Sequence, residues 1–205
     1  MTILVTGFGR FPGASVNPTT ALATRVARAG RRRGLDCVAH VFATTYAAVD
    51  RDLPALIATH RPDAILMFGL AARRRHVSIE VLARNRTSTW FPDAAGVVPP
   101  RAAIAAGAGA SLRGRALFSR LLAAARGTRV RTILSRDAGD YLCNYVYWRA
   151  LETAAAKDGP RRVVFVHIPR VAANARRRAG TKGGKFTFKQ LLRVGEAVLA
   201  AVARH

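Results

Sequence analysis

Short apolar runs that alternate with longer amphipathic segments constrain the fold of this chain most strongly. Five runs of four to seven residues, rich in Val, Ile, Leu and Phe, predict β-strands over 2–7, 38–43, 64–68, 130–134 and 163–167. Five segments with helical patterns lie between and after them, at 19–29, 46–59, 115–126, 141–157 and 188–204. This alternation favours an α/β fold, in which helices cover both faces of a mostly parallel sheet.

Two further segments depart from that alternation. In residues 77–85 apolar side chains recur at every second position, a pattern that predicts a strand with one mixed face. The Pro-, Gly- and Ala-rich segment 84–114 follows, and a segment of that length is typical of a functional loop or a local hairpin. Residues 180–185 are expected to form a flexible basic loop that lacks the spacing of a phosphate-binding loop. With 205 residues and no internal repeat, we expect one domain over 1–205.

Composition narrows the cellular setting. The two cysteines, Cys37 and Cys143, can form at most one disulfide, which favours a reducing compartment. No apolar stretch approaches the roughly 18 residues of a membrane span, and the N-terminus enters a strand without the pattern of a signal peptide. We therefore expect a soluble, cytoplasmic protein with no membrane partner.

The net charge of +23 has two interpretations. It could serve an anionic partner such as nucleic acid or anionic lipid. Alternatively, it reflects a surface that uses Arg where other proteins use Lys, Gln or Glu. The basic residues are dispersed, aromatic residues are few and no nucleic-acid motif accompanies them. The second interpretation is therefore favoured, with no specific nucleic-acid partner, although nonspecific and salt-sensitive binding to polyanions is expected.

Cys143 and His167 carry the chemistry that this pattern suggests. Cys143 stands at a junction between an apolar run and a helical segment, and His167 ends another apolar run. A helix N-terminus favours thiolate, and a nearby histidine can accept the thiol proton and later protonate a leaving amine. Glu80, a charged residue on an apolar, strand-like stretch, is a candidate to orient that histidine.

Each of these residues also has a purely structural interpretation. Cysteine is among the most buried residue types, so Cys143 taken alone is more often a core residue. Cys37 shares a strand face with Ala39 and Val41, and we expect it to lie in the core. A lone histidine at a strand end is usually structural, and Glu80 alone could be a solvated strand residue.

Four segments, in order along the chain, resemble the motifs of the pyroglutamyl peptidase I family, the pyrrolidone-carboxylate peptidases of cysteine peptidase family C15. Residues 3–13 (ILVTGFGRFPG) and 16–19 (VNPT) are similar to T-G-F-x-P-F-G-G…N-P-[ST]. Residues 68–71 (FGLA) through 77–81 (VSIEV) are similar to G-Q-A-G-G-R…I-T-x-E-R-V. Ser135 through 138–146 (AGDYLCNYV) resembles S-x-x-A-G-T-[FY]-[VL]-C-N-H, and 165–169 (FVHIP) matches F-[IV]-H-[IV]-P.

The resemblance implies roles for individual residues. Cys143 would be the nucleophile, His167 the general base and acid, and Glu80 the group that orients His167. A pocket for a small, flat, neutral lactam would use aromatic and apolar side chains, namely Phe8, Phe11, Leu70, Tyr141 and Leu142.

The resemblance also implies an architecture and a reaction. The fold would be a three-layer α/β/α sandwich around a mixed, mostly parallel central sheet. The reaction would remove an N-terminal pyroglutamyl residue from a peptide through an acyl-thioester, without metal or cofactor. Family members commonly assemble as homo-dimers or tetramers, so a homo-oligomer is expected.

Four positions differ from the family pattern. Leu70 stands where the family has Gln, within 69–73 (GLAAR) in place of G-Q-A-G-G. Trp90 stands where the family has an Arg that is expected to help stabilise negative charge. The candidates to replace that arginine from another position are Arg74, Arg84 and Arg86. Pro12 replaces a glycine, and Pro169-Arg170 replaces a Pro-Tyr pair.

Three hypotheses follow from these similarities and differences. The first is a cysteine peptidase that removes pyroglutamate. The second keeps the fold and mechanism but acts on another N-acyl or lactam substrate, because Leu70 and Trp90 differ from the pattern. The third, which rests on the net charge of +23, is a polyanion-binding protein with impaired catalysis.

Overall fold

A computed structural model describes residues 1–11, 15–172 and 186–204. The basic loop expected at 180–185 and the substitution at position 12 lie outside these residues. In chain order the described elements are β1 (Thr2–Phe8), α1 (Pro18–Arg32), β2 (Asp36–Phe42), α2 (Tyr46–His60), β3 (Ala64–Leu70), β4 (Val77–Glu80), β5 (Leu82–Arg84), β6 (Ser111–Arg113), α3 (Phe118–Gly127), β7 (Thr132–Ser135), α4 (Leu142–Thr153), β8 (Arg162–Ile168) and α5 (Phe188–Ala203).

Six strands form the central sheet, in the order β2-β1-β3-β8-β4-β7. Strands β2, β1, β3 and β8 are mutually parallel, whereas β4 pairs antiparallel with β8 and parallel with β7. The sheet is therefore mixed and mostly parallel, as predicted. The reversal between β8 and β4 pairs Ser78 with His167.

Helices cover both faces of this sheet. Helices α1, α3 and α5 pack on one face, where Leu22, Leu121 and Val198 join a buried cluster with the side chains of that face. Helices α2 and α4 pack on the other, where Val49 and Val146 do the same. The molecule is thus the three-layer α/β/α sandwich that the resemblance implies. Cys37 lies in the first cluster at 3% exposure, so its predicted core position is confirmed.

The single strand predicted over 77–85 is wrong, because the chain divides there between two sheets. Residues up to Glu80 belong to the central sheet, and Leu82–Arg84 leaves it to pair antiparallel with Ser111–Arg113. Val81 holds the junction, since its N–H donates to Ser135 and its carbonyl accepts from Gly114. Apolar alternation continues through both pieces, so periodicity alone could not reveal the division. The antiparallel pairing of β5 with β6 therefore joins the two ends of the long segment 84–114 as a hairpin.

Polar side chains cap the N-termini of α1 and α5. Asn17 caps α1, and its side chain accepts a hydrogen bond from the Thr19 N–H at 3.1 Å. Helix α5 begins with a capping box formed by Thr187 and Gln190, and its apolar residues Leu191, Val198 and Leu199 are buried. Helix α4 ends at Thr153, earlier than the predicted 157. None of the helices in the described ranges is both long and apolar enough to cross a membrane.

Candidate active site

The register between β4 and β8 places Glu80 and His167 on the same face of the sheet. Ser78 lies opposite His167, and Glu80 lies opposite Phe165. Directly paired residues share a face, so Glu80 and His167 are diagonal neighbours, within reach of each other's long side chains. Phe165 belongs to the apolar cluster beneath α2 and α4, which identifies this as the face that α4 covers.

A short hydrogen bond joins the two side chains. His167 Nδ1 lies 2.8 Å from Glu80 Oε1, and both groups are buried, with Glu80 fully inaccessible. Arg74 also contacts Glu80, because its Nη1 donates to the same Oε1 at 2.5 Å. The second guanidinium nitrogen of Arg74 donates to the backbone carbonyl of Asp137. Arg74 therefore ties the buried carboxylate to the loop before α4.

The surroundings of Glu80 keep it ionised. Burial opposes its charge, but the hydrogen bond and charge of His167 and the nearby Arg74 guanidinium outweigh that effect, and the pKa of Glu80 lies below its usual value. An ionised carboxylate can only accept hydrogen bonds, so Nδ1 of His167 is the donor. The other ring nitrogen, Nε2, is then the one that can accept a proton.

Cys143 lies in the first turn of α4, which begins at Leu142. Its thiol reaches across the end of β3 because Gly69 has no side chain. A Cβ at position 69 would lie 2.9 Å from Cys143 Sγ and 2.7 Å from Phe165 Cζ, both closer than normal packing allows. The absence of a side chain at Gly69 thus lets the thiol lie against the sheet, next to β8, the strand that carries His167.

The surroundings of Cys143 favour its protonated form, whereas its place at a helix N-terminus suggested a thiolate. Burial raises the pKa of Cys143, the Glu80 carboxylate adds to that effect and Arg74 opposes it, with a net value of about 12. The helix N-terminus does not overcome burial and the neighbouring carboxylate. The arrangement thus requires a base that removes the thiol proton as attack occurs, rather than a preformed thiolate.

One cavity brings most of the predicted site residues together. It has a volume of about 220 Å³, and Cys143 and His167 both line it. The five residues proposed for substrate contact all line the same cavity: Phe8, Phe11, Leu70, Tyr141 and Leu142. Glu80 does not line it, and instead lies behind His167 as a hydrogen-bond partner. The geometry is that of a nucleophile and a base at one surface, with a buried group holding the base.

Sequence reasoning missed Asn17 and Thr44, which also line the cavity. Both side chains donate to the carbonyl of Gly9, at 2.9 and 3.2 Å, and so fix the start of the loop that leads from Phe8, at the end of β1, to Phe11. Asn17 belongs to the VNPT segment of the family resemblance, which is the signal that could have identified it. Thr44 has no sequence signal of its own.

Asn144 is a second residue whose role the sequence did not reveal. It is fully buried, and its carboxamide makes three hydrogen bonds with the backbone of Arg84 and Arg86, at 2.7 to 2.9 Å. These bonds fasten the turn that carries Cys143 to the strand β5 segment. Its place directly after Cys143 in the cysteine motif is the signal that could have identified it.

None of the three arginines considered as substitutes at position 90 lines the cavity. Arg74 is held by Glu80, Arg84 donates to the carbonyl of Arg136, and Arg86 pairs with Asp140 at the cavity rim. Trp90 itself is 86% exposed. Among the described residues that line the cavity there is no Lys or Arg.

Both cysteines are free thiols. Within residues 1–11, 15–172 and 186–204, no group of three or more His, Cys, Asp or Glu side chains is placed to hold a metal ion.

Comparison with known proteins identifies relatives along almost the whole chain. The family model described as pyroglutamyl peptidase matches residues 1–204. A pyrrolidone-carboxylate peptidase of Gloeobacter violaceus is 33% identical over 184 residues, which are 88% of this chain and 87% of that protein. One of Thermococcus kodakarensis is 29% identical over 169 residues, covering 82% and 81%.

Solved structures share the fold. The crystal structure of Bacillus amyloliquefaciens pyroglutamyl peptidase I superposes with a TM-score of 0.88 at 22% identity and covers all of this chain and 97% of its own. A mutant pyrrolidone carboxyl peptidase from Pyrococcus furiosus gives a TM-score of 0.89 at 23% identity, with 100% and 99% covered.

Proposed function

Because this chain belongs to the pyroglutamyl peptidase family, we propose that it removes an N-terminal pyroglutamyl residue from peptides. The observation that carries the proposal is the pair formed by Glu80 and His167, joined at 2.8 Å, which lies beside a cavity that Cys143 also lines. That cavity is small and mostly apolar, which suits a neutral lactam ring. We assign Cys143 as the nucleophile, His167 as the general base and acid, and Glu80 as the residue that orients His167.

Acylation begins with transfer of the Cys143 thiol proton to Nε2 of His167. The sulfur forms a bond to the carbonyl carbon of the pyroglutamyl residue, and the carbonyl electrons move onto oxygen. When that oxygen re-forms its double bond, the C–N bond breaks and His167 gives its proton to the departing amine. The products of this half-reaction are a pyroglutamyl thioester on Cys143 and a peptide shortened by one residue.

Deacylation repeats the proton transfers with water. His167 takes a proton from a water molecule, whose oxygen attacks the thioester carbon. The C–S bond then breaks, free pyroglutamate leaves, and the proton returns to the Cys143 sulfur. Glu80 remains a carboxylate throughout and stabilises the imidazolium that forms in each half-reaction.

The first turn of α4 is the proposed site for the developing negative charge on the carbonyl oxygen. Tyr141, the N-cap residue, makes no side-chain hydrogen bond to this turn. The backbone N–H groups near Cys143 therefore keep the unsatisfied donors and positive dipole end of a helix N-terminus. With Trp90 in place of an arginine, these donors carry the stabilisation that a guanidinium would share.

A panel of N-acyl amides tests this function and separates it from its nearest alternative. The purified enzyme at micromolar concentration is incubated with the same fluorogenic amine blocked by pyroglutamyl, prolyl, acetyl-alanyl or a six-membered lactam group. We expect release from the pyroglutamyl amide at the highest kcat/KM. No release from it by the wild type would contradict the assignment.

The second hypothesis, another N-acyl or lactam substrate, rests on Leu70, an apolar side chain that lines the cavity where the family has Gln. Leu70→Gln is the matched variant in the same panel. If the six-membered lactam or an acyclic amide is preferred by the wild type and Leu70→Gln restores preference for pyroglutamyl, the second hypothesis replaces the first.

The assembly and compartment are proposals of the same kind. We infer a homo-dimer or tetramer in the cytoplasm from the family resemblance. Light scattering on the eluting protein measures the oligomer, and a monomer at micromolar concentration would contradict it.

A further inference from the structure

Exposed apolar side chains are concentrated in one loop of the described chain. Of its eight large hydrophobic residues that are exposed, four fall within positions 90–98. Trp90 is 86% exposed and Phe91 66%, and Val97 and Val98 follow them. Exposing two adjacent aromatic side chains is unfavourable unless they have a ligand, because each could bury a large apolar area.

Hydrogen bonds fasten this loop to the rim of the cavity. The N–H of Ser88 donates to the carbonyl of Asp140 at 2.5 Å, and the Tyr141 hydroxyl donates to the carbonyl of Pro92 at 2.9 Å. Asp140 and Tyr141 both line the cavity. The two aromatic residues thus lie between two points of attachment to its wall.

The same loop is internally ordered. The Ser88 hydroxyl accepts hydrogen bonds from the N–H groups of Trp90 and Phe91, both at 3.2 Å. Asp93, which is buried, accepts from Ala95 and Val97 at 2.9 Å each. These bonds hold the backbone that presents the exposed side chains.

Under the proposed function, the cavity encloses only the pyroglutamyl residue of a peptide substrate. Its volume of about 220 Å³ lies below the roughly 300–1,000 Å³ of pockets that enclose larger ligands. Its inner wall is buried at Phe8, Asn17 and Leu142, whereas Gly139 is exposed and Tyr141 partly so. Residues 139–141 therefore form an exposed part of the rim, across which the chain beyond the scissile bond can leave.

We propose that Trp90 and Phe91 form an apolar shelf that binds the side chain of the substrate residue directly after the pyroglutamyl group. The inference rests on the proposed function and extends it to a substrate class: peptides whose second residue is aromatic or large and aliphatic. Trp90 stands where the family pattern has an arginine, so its part in the shelf is particular to this chain.

The test compares kcat/KM for pyroglutamyl-phenylalanine amide with that for pyroglutamyl-glycine amide. We expect the wild type to prefer phenylalanine and the ratio to fall about 3- to 10-fold in Trp90→Ala, the range for loss of one aromatic contact. Phe91→Ala lowers the ratio as well. Both side chains are mostly exposed, so these variants fold.

Leu117→Ala is the matched control, because Leu117 is also an exposed apolar residue, at 52%, and is the N-cap residue of α3, which packs on the face of the sheet opposite α4. An equal ratio in wild type and Trp90→Ala, or an equal fall in Leu117→Ala, overturns the shelf. Light scattering that shows Trp90→Ala converting an oligomer to monomers also overturns the shelf, because that result would mean that a second copy of the chain covers the loop in the wild type. No cleavage of either amide removes the proposed function and the shelf together.

Discussion

Glu80 is a single residue with two opposing effects on the proposed reaction. Its carboxylate orients His167, which favours turnover, and its charge contributes to the raised pKa of Cys143, which disfavours the thiolate. These effects can be separated, because one depends on the hydrogen bond and the other on charge. Holding His167 in one tautomer and one orientation raises the rate of turnover more than a lower thiol pKa would, because His167 removes the thiol proton during attack.

The change Glu80→Gln therefore predicts opposite results in two assays. Turnover of a pyroglutamyl amide is expected to fall on the order of 10²- to 10⁴-fold, because His167 loses its orienting carboxylate. Alkylation of Cys143 by iodoacetamide at neutral pH is expected to become faster, because the nearby negative charge is gone. Mass spectrometry of the Cys143 peptide separates this thiol from buried Cys37.

Glu152→Gln is the control for this pair of measurements. Glu152 is a carboxylate near the other end of α4 that pairs with Arg149 at 3.0 Å, away from the cavity. It should change neither rate. Slower alkylation in Glu80→Gln would show that the carboxylate does not act on the thiol as described.

Glu80 also makes folding depend on pH. Its pKa is lowered in the folded protein, so its ionised form stabilises the fold above the unfolded-state pKa of roughly 4.3. That contribution is lost as the pH falls through the lower folded-state value. The free energy of unfolding, measured in urea between pH 6 and pH 3, should therefore decline more steeply for wild type than for Glu80→Gln. Parallel curves would contradict this account.

At the scale of elements, the site depends on the contact between the end of β3 and the first turn of α4. Gly69→Ala places a methyl group within 2.9 Å of Cys143 Sγ. The expected result is destabilisation of about 1–3 kcal/mol and a lower kcat, because the thiol must move away from its base. Thermal unfolding and pyroglutamyl-amide turnover measure the two effects.

Gly127→Ala is the matched control for that substitution. Gly127 ends α3, and a Cβ there would meet nothing within 4 Å. It should be neutral or stabilising by up to roughly 1 kcal/mol and leave turnover unchanged. Wild-type kcat in Gly69→Ala would contradict the proposed position of the thiol.

The elements themselves were largely predictable, and their pairing was not. Apolar runs located β1, β3 and β8, whose residues are almost all buried because helices cover both faces of the sheet there. The division of 77–85 between two sheets was missed, since alternation is the same on both sides of Val81. The diagonal placement of Glu80 and His167 depends on the antiparallel register of β4 and β8, a long-range property that a shift of one residue would destroy.

The residues that support the site were the least predictable. Arg74 and Asn144 act through backbone carbonyls of distant segments, at Asp137 and at Arg84 and Arg86. No periodicity or motif spacing encodes such contacts. The exposure of Trp90 could not be predicted either, because the sequence showed only that the arginine of the family pattern is missing at that position.

The whole chain has a net charge of +23, and no Lys or Arg is among the described residues that line the cavity. Binding to a DNA duplex or heparin should therefore be nonspecific and should weaken steeply with salt, because it depends on the release of counterions. Fluorescence anisotropy with labelled DNA at about 50 and 200 mM salt measures this slope. Saturable binding that survives the higher salt would instead favour a polyanion-binding function.

The central claim is that the Cys143 thiol, activated by His167, cleaves the pyroglutamyl amide bond. Its most direct test is the rate of amine release from a pyroglutamyl fluorogenic amide by wild type and by Cys143→Ala in the same assay. The variant removes only the sulfur of a partly exposed side chain, so the fold should be retained. The account predicts steady turnover by wild type and none above background by Cys143→Ala, and turnover that survives in the variant would contradict it.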